Sequence, residues 1–147
     1  MIVEAFWDTS VLVPLCVDQA PHTDTSRRLL LRYAVNVWWG TAVEIISALT
    51  RLRRSGMVTE PEYVRAKAEL IRMLIDWNMI APSDGIKIQA EQFLEKYPLR
   101  AADAFQLAAA MEWCEGQPAG QVFLTADRKL AEAAALAGFS LEPGLTP

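Results

Sequence analysis

The chain has 147 residues, 52% of them apolar, which excludes a disordered polypeptide and suits one domain with a sizeable core. The formal net charge is −4, but residues 27–72 hold nine basic and four acidic side chains, against five basic and fourteen acidic in the remainder. Such a basic flank beside an acidic remainder suits a phosphate backbone held over metal ions; its ordinary alternative is a set of solvated helix faces.

In chain order, residues 2–7 read as a strand, β-branched and aromatic with a polar stop at Asp8. The segment Met1 to Asp8 has no basic lead and no long apolar core, so it is not expected to be a signal peptide. Residues 10–17 predict a short helix with Pro14 in its first turns, where proline is tolerated best. A loop over 18–22 leads to a helix expected over 25–33, carrying Arg27, Arg28 and Arg32. Residues 35–38 form a second predicted strand, and Thr41 is expected to cap a helix to about Arg54. Its apolar positions Val43, Ile45, Ile46, Leu49 and Leu52 recur at helical spacing, and Gly56 ends it. Thr59-Glu60-Pro61-Glu62 fits a capping box for a helix running through Ile75, which makes an αα-hairpin around Gly56.

A third short strand is expected at 78–81, and Ser83 or Asp84 opens a helix to Tyr97, closed by Pro98. Residues 99–115 predict a long alanine-rich helix whose small residues suit close packing on a sheet. Asp103 and Gln106 interrupt its apolar stretch, far short of the roughly 18 apolar residues a membrane span requires. A fourth strand at 122–124, a helix over 127–137 stopped by Gly138, and an edge strand at 139–141 complete the chain. Short apolar strands alternating with helices imply an α/β fold around a parallel sheet. With no repeat or linker, residues 1–147 are expected to form a single domain, cytoplasmic and independent of membranes. Cys16 and Cys114 lie far apart outside any CxxC pair and read as free thiols in a reducing compartment.

Four carboxylates stand where apolar strands give way to helices or inside the following helix: Asp8, Glu44, Asp103 and Asp127. In a parallel sheet, ligands bind outside the carboxyl ends of the strands, where topology alone places Asp8, Glu44 and Asp127. Each acid also has an ordinary explanation. Asp8 and Asp127 are good N-caps, Glu44 in a first turn favours the helix dipole, and Asp103 can pair with Arg100. Capping does not explain Glu44 among Val43, Ile45 and Ile46, or Asp103 between Ala102 and Ala104, where an acid needs a buried partner.

Other chemistries find little support. His22 is the only histidine, which argues against a Ser-His-Asp triad and against zinc sites with several histidine ligands. Neither GxGxxG nor GxxxxGK[ST] occurs, so dinucleotide and P-loop readings fail. Trp38 and Trp39 can stack on bases, though strand-end core packing is the simpler reading.

Four segments in order, Asp8-Thr9-Ser10, Glu44-Ile45-Ile46-Ser47-Ala48-Leu49, Arg100-Ala101-Ala102-Asp103-Ala104-Phe105-Gln106-Leu107 and Thr125-Ala126-Asp127-Arg128-Lys129-Leu130, resemble the PIN domain, and most nearly the VapC-type toxins of toxin–antitoxin systems. The resemblance runs from Ile2 to about Leu141. It implies a three-layer α/β/α sandwich with a central parallel sheet of four to five strands, and Mg²⁺- or Mn²⁺-dependent endoribonuclease activity. It also implies a small antitoxin partner and commonly a homodimer. Carried over by position, the catalytic and metal-binding set is Asp8, Glu44, Asp103 and Asp127, with Thr9, Ser10 and Thr125 as polar support. One departure is Gln106, where many relatives carry histidine.

On this reading Asp8, Asp103 and Asp127 ligate the main ion directly or through water, Glu44 orients water or helps hold a second ion, and Arg27, Arg28, Arg51, Arg53 and Arg54 grip flanking RNA phosphates. Two rivals stand beside it. One is a catalytically inactive PIN-like module that binds RNA or protein; the other is a phosphotransfer protein with an aspartyl nucleophile, ranked lower because Thr9 and Ser10 follow Asp8 where a second acid is wanted.

Overall fold

A computed structural model describes residues 1–146. Five strands alternate with seven helices: β1 (Val3–Trp7), α1 (Thr9–Cys16), α2 (His22–Leu30), β2 (Tyr33–Trp38), α3 (Thr41–Arg54), α4 (Glu60–Leu74), β3 (Asn78–Ile80), α5 (Asp84–Lys96), α6 (Ala101–Trp113), β4 (Val122–Leu124), α7 (Arg128–Ala137) and β5 (Ser140–Leu141). The strands form one sheet in the order β3-β2-β1-β4-β5. All pairings are parallel, with Val3 beside Tyr33, Phe6 beside Phe123 and Trp38 beside Ile80.

Alternation along the strands divides the core into two layers. Ala5, Trp7, Val37 and Leu124 face one side and pack with Val11, Leu12, Leu29, Ile45, Leu49, Tyr63 and Leu70 from α1 to α4. Phe6, Trp38 and Phe123 face the other and pack with Ile86, Phe93, Leu107 and Leu130 from α5 to α7. The result is the three-layer α/β/α sandwich with a central parallel sheet, here of five strands. Alanines 108 to 110 of α6 are fully buried, which brings that helix close to the sheet.

Three boundaries differ from the sequence reading. Helix α2 opens at His22 rather than Thr25, because the Thr23 hydroxyl donates to the Pro14 carbonyl (2.7 Å) and accepts the Gln19 amide (2.8 Å), tying its first turn to the end of α1. Tyr33 starts β2 instead of closing that helix, with Val3 as its register partner. Thr41 is not the cap of α3; it lies inside the first turn, fully buried, and Gly40 occupies the cap position without a side chain to bond. A Cβ on Gly40 would stand 2.6 Å from the Trp38 indole nitrogen, so the indole's position leaves room only for glycine. The Thr59 capping box is present as read, with both reciprocal bonds made. Both cysteines are free, and burial pushes the Cys16 thiol up to about 12, which keeps it protonated. Among the described residues no helix is long and apolar enough to cross a membrane.

Candidate active site

The strand order reverses direction at β1: the chain moves outward to β2 and β3, then crosses to β4 on the other side. A crevice opens at such a switch point, outside the carboxyl ends of the two central strands. Asp8 follows β1 directly and Asp127 lies just beyond β4. The Asp8 amide donates to the Leu124 carbonyl (2.9 Å), so the β1–β4 ladder reaches to the crevice floor. An open cleft of about 770 Å³ lies there, lined by Asp8, Glu44, Asp103 and Asp127 together with the cations Arg51, Arg100 and Lys129.

Asp8 is 4% exposed and caps α1. Its Oδ2 accepts the Ser10 hydroxyl (2.6 Å), the Thr125 hydroxyl (2.9 Å) and the Ser10 amide (3.3 Å). All three fall on one oxygen, which leaves the Oδ1 lone pairs to the cleft. Ser10 Oγ in turn accepts the Ala126 amide (2.9 Å) and Thr125 Oγ1 the Asp127 amide (3.0 Å), so the turn after β4 is laced to the start of α1. Asp127 caps α7 by accepting the Leu130 amide on Oδ1 (2.9 Å). The capping explanation and the cleft position hold together for both aspartates: one oxygen serves the helix while the carboxyl group lines the cleft.

Glu44 lies one turn into α3. Its Oε1 accepts the Thr9 hydroxyl (3.1 Å) and its Oε2 the Gln106 side-chain amide (3.1 Å). Gln106 is fully buried, and its Nε2 also approaches Thr9 Oγ1 (3.1 Å) and Thr41 Oγ1 (3.0 Å). Asp103 stands in the first turn of α6, half-buried.

Burial and mutual repulsion set the electrostatics. Burial first, and then the negative charge of Asp8, push Glu44 up to about 7, against the pull of its bonds from Thr9 and Gln106. Burial first, then Asp8 and Asp127, push Asp103 up to about 6, with the Arg100 backbone and guanidinium drawing it back. Asp8 is also raised, chiefly by burial, against its hydroxyl donors. Among the described residues no ion pair reaches any of the four acids: the salt bridges join Arg32 to Glu142, Arg53 to Glu60 and Arg72 to Glu69.

The donor set is all oxygen, the kind a hard divalent cation takes. Among the described residues no three carboxyl groups stand near enough to form a ready-made ligand cluster. An all-oxygen set spread in this way suits a hard cation that keeps several of its own waters.

Of the arginines expected at phosphates, Arg51 lines the cleft. Arg27 and Arg28 line other recesses, near Tyr33 and near Glu142 respectively. Arg53 pairs with Glu60 at 3.5 Å and lies over the Tyr63 ring at 4.1 Å. Arg54 ends α3 and does not line the cleft. Sequence reasoning missed Arg100 and Lys129, which come from the acidic part of the chain, and the linking role of Thr41 and Gln106. The signal for Gln106 was a polar side chain inside an alanine run, one turn beyond Asp103.

The PIN domain family model matches residues 5–136. The chain belongs to the PIN domain family. No curated protein sequence matches it. Among solved structures, this PIN domain is similar to VapBC2 from Rickettsia felis bound to a promoter DNA fragment (TM-score 0.65, 10% identity, 95% of this chain and 98% of that one). It is also similar to VapC20 of Mycobacterium tuberculosis, a sarcin–ricin-loop-cleaving toxin (TM-score 0.63, 22% identity, 88% and 94%). A toxin–antitoxin complex from Klebsiella pneumoniae is a third (TM-score 0.58, 14% identity, 97% and 95%). At these identities the likeness is one of fold, and it extends over nearly the whole of each chain.

Proposed function

We propose that this PIN domain is a metal-dependent endoribonuclease, the toxin of a type II toxin–antitoxin pair, using Mg²⁺ or Mn²⁺. The observation that carries the reading is the meeting of Asp8, Glu44, Asp103 and Asp127 in one open cleft, with no ion pair to any of them among the described residues. A bound divalent cation would supply Lewis acidity at the phosphate and a nucleophilic water at neutral pH.

The chain's own groups do the rest. Asp8, Asp103 and Asp127 would hold the cation directly or through water, and Ser10 and Thr125 fix the Asp8 carboxylate for that task. Glu44, held by Thr9 and Gln106, would add to the binding of the cation and orient water toward phosphorus. Arg51, Arg100 and Lys129 line the same cleft and bind the flanking phosphates. Water adds to phosphorus as the ester P–O bond breaks, its proton passes to the departing ester oxygen, and the strand leaves as two pieces, one ending in a phosphate and the other in a hydroxyl.

Cytoplasmic location, an antitoxin and a homodimer belong to this reading as well. A protein partner is supported by an exposed apolar stripe on α4 and its C-cap, where Val64, Ala68, Ile71 and Ile75 repeat at alternating spacings of four and three. A second reading, a PIN-like module that binds without cutting, is favoured by one observation, the lack of a three-carboxylate cluster among the described residues.

One experiment separates them: incubation of RNA with Mg²⁺ or Mn²⁺ and wild type, Asp8→Asn or Asp103→Asn protein. The nuclease reading expects cutting that chelator abolishes and that each variant lowers by at least about a hundredfold, on the order of 3 kcal/mol of barrier. Binding without cutting by the wild type selects the module, and equal residual cutting by all three selects a contaminant.

A further inference from the structure

The adjacent tryptophans at the end of β2 have different surroundings. Trp38 is buried and lies parallel to Phe105 of α6, with centroids 5.5 Å apart and planes 4° apart. Trp39 is 56% exposed and meets Trp38 edge-on at 6.2 Å and 72°. Its backbone is fixed, the Trp39 amide donating to the Ile80 carbonyl at 3.0 Å. Trp38, Trp39 and Phe105 line an open recess of about 390 Å³ together with Lys87 and Asp84 of α5.

This recess and the acid cleft are built from the same two chain segments. Trp39 stands just before α3 and Glu44 one turn inside it. Phe105 follows Asp103 by two residues in α6, about 3 Å along the helix axis and about 200° around it, so the two recesses lie on either side of the first turns of that helix. A strand that crosses the first turns of α6 thus presents a phosphate to the carboxylate side and a base to the aromatic side.

We propose that Trp39 and Phe105 form a shelf for one unpaired nucleobase of the strand whose phosphodiester lies in the acid cleft, with Lys87 on a neighbouring phosphate; this rests on the nuclease reading. The chemistry of the recess selects that occupant. Aromatic faces beside a cation are what sequence-tolerant single-strand sites use, because every base has a π-face. Asp84, the one acid in the recess, offers an acceptor that base amino groups can use and phosphate cannot. A base must be unstacked to lie there, so the shelf selects single-stranded segments over duplex.

The test uses a labelled single-stranded RNA octamer and the duplex of the same sequence, titrated by fluorescence anisotropy in excess chelator so that no strand is cut. Trp39→Ala is expected to weaken single-strand binding about tenfold and Trp39→Phe by much less, with duplex binding unchanged. Lys87→Ala is expected to reduce the salt dependence by about one phosphate contact. Equal single-strand affinity of wild type and Trp39→Ala overturns the shelf, as does an equal loss on the duplex. Light scattering is run on the same samples: conversion of a dimer to monomer by Trp39→Ala with RNA affinity intact makes the patch a protein interface and overturns the base reading. Metal-dependent cutting scored in parallel keeps the two readings apart. Cutting with no Trp39 effect removes the shelf alone, Trp39-dependent binding without cutting removes the nuclease alone, and neither binding nor cutting removes both.

Discussion

Gln106 must turn its amide one way or the other. Its NH₂ faces Glu44, Thr9 and Thr41, and its Oε1 is buried without a partner. An unpaired buried carbonyl costs about 1–3 kcal/mol, and a hydrogen bond to an ionised carboxylate recovers roughly as much. The orientation is therefore stable only while Glu44 lies within reach of the amide, which makes Gln106 a positioning residue for that carboxylate. Gln106→Leu keeps the volume and removes the donor. Its expected effect is a loss of divalent-ion affinity of about 10- to 100-fold, read by titration calorimetry with Mn²⁺, and Gln106→His, which restores an N–H, should recover part of it. Affinity unchanged in Gln106→Leu would show that Glu44 needs no such support. At this scale the sequence exposes the acids and hides their partners. Glu44 and Asp103 stand out because an acid in an apolar run has few benign explanations. The amide that holds Glu44 lies 62 residues away on a helix of the opposite layer, and only the sheet between them brings the two to a common rim.

Helix α3 begins under a constraint its own residues do not announce. Thr41 looks like a cap, yet its hydroxyl is spent on Gln106, and Gly40 takes the cap position because the Trp38 indole leaves no room for a side chain. The indole cannot easily give way, being buried and stacked on Phe105. Gly40→Ala is therefore expected to destabilise the fold by about 1–3 kcal/mol, the range for overpacking, seen as a lower midpoint in urea with an unchanged slope. Thr59→Ala makes a useful comparison. Its capping box is exposed and far from the cleft, so about 1 kcal/mol of stability should go while metal binding stays as it was. The box was legible because all its signals lie within four residues. The start of α2 was not, since Thr23 is held there by Pro14 and Gln19 of the preceding helix and loop. Local rules located elements whose ends are set locally and misplaced those whose ends are set by a neighbour.

For the whole molecule, the sheet order converts sequence distance into proximity. Asp8 and Asp127 flank β1 and β4, neighbours in the sheet though far apart in the chain, and α3 and α6 bring Glu44 and Asp103 from opposite layers to the same rim. The alternation of strands and helices made the parallel sheet legible, but the switch at β1 that opens the cleft is a property of strand order, which no local pattern encodes. Crowding these carboxylates has a consequence for stability. Glu44 at about 7 and Asp103 at about 6 bind protons more tightly in the folded chain than in the unfolded one, and Asp8 shifts the same way. Their contribution is complete below the unfolded carboxylate range near 4, where both states are protonated, and is lost as pH rises through the folded values. Metal-free protein should therefore lose thermal stability between about pH 4.5 and pH 7.5, a slope that Asp103→Asn makes shallower. Glu62 and Glu69, whose values are lowered by Thr59 and Arg72, act in the opposite sense and at lower pH, so they do not mask this window. Divalent ions bind the deprotonated carboxylates, and a ligand that binds only the folded state raises its melting temperature. Mg²⁺ should accordingly raise Tm more at pH 8 than at pH 5, measured by scanning calorimetry with and without chelator. A Mg²⁺ shift equal at both values would mean that the ion is not competing with protons for Asp8, Glu44 and Asp103, and the cleft would then need a different ligand to explain why these acids are held together.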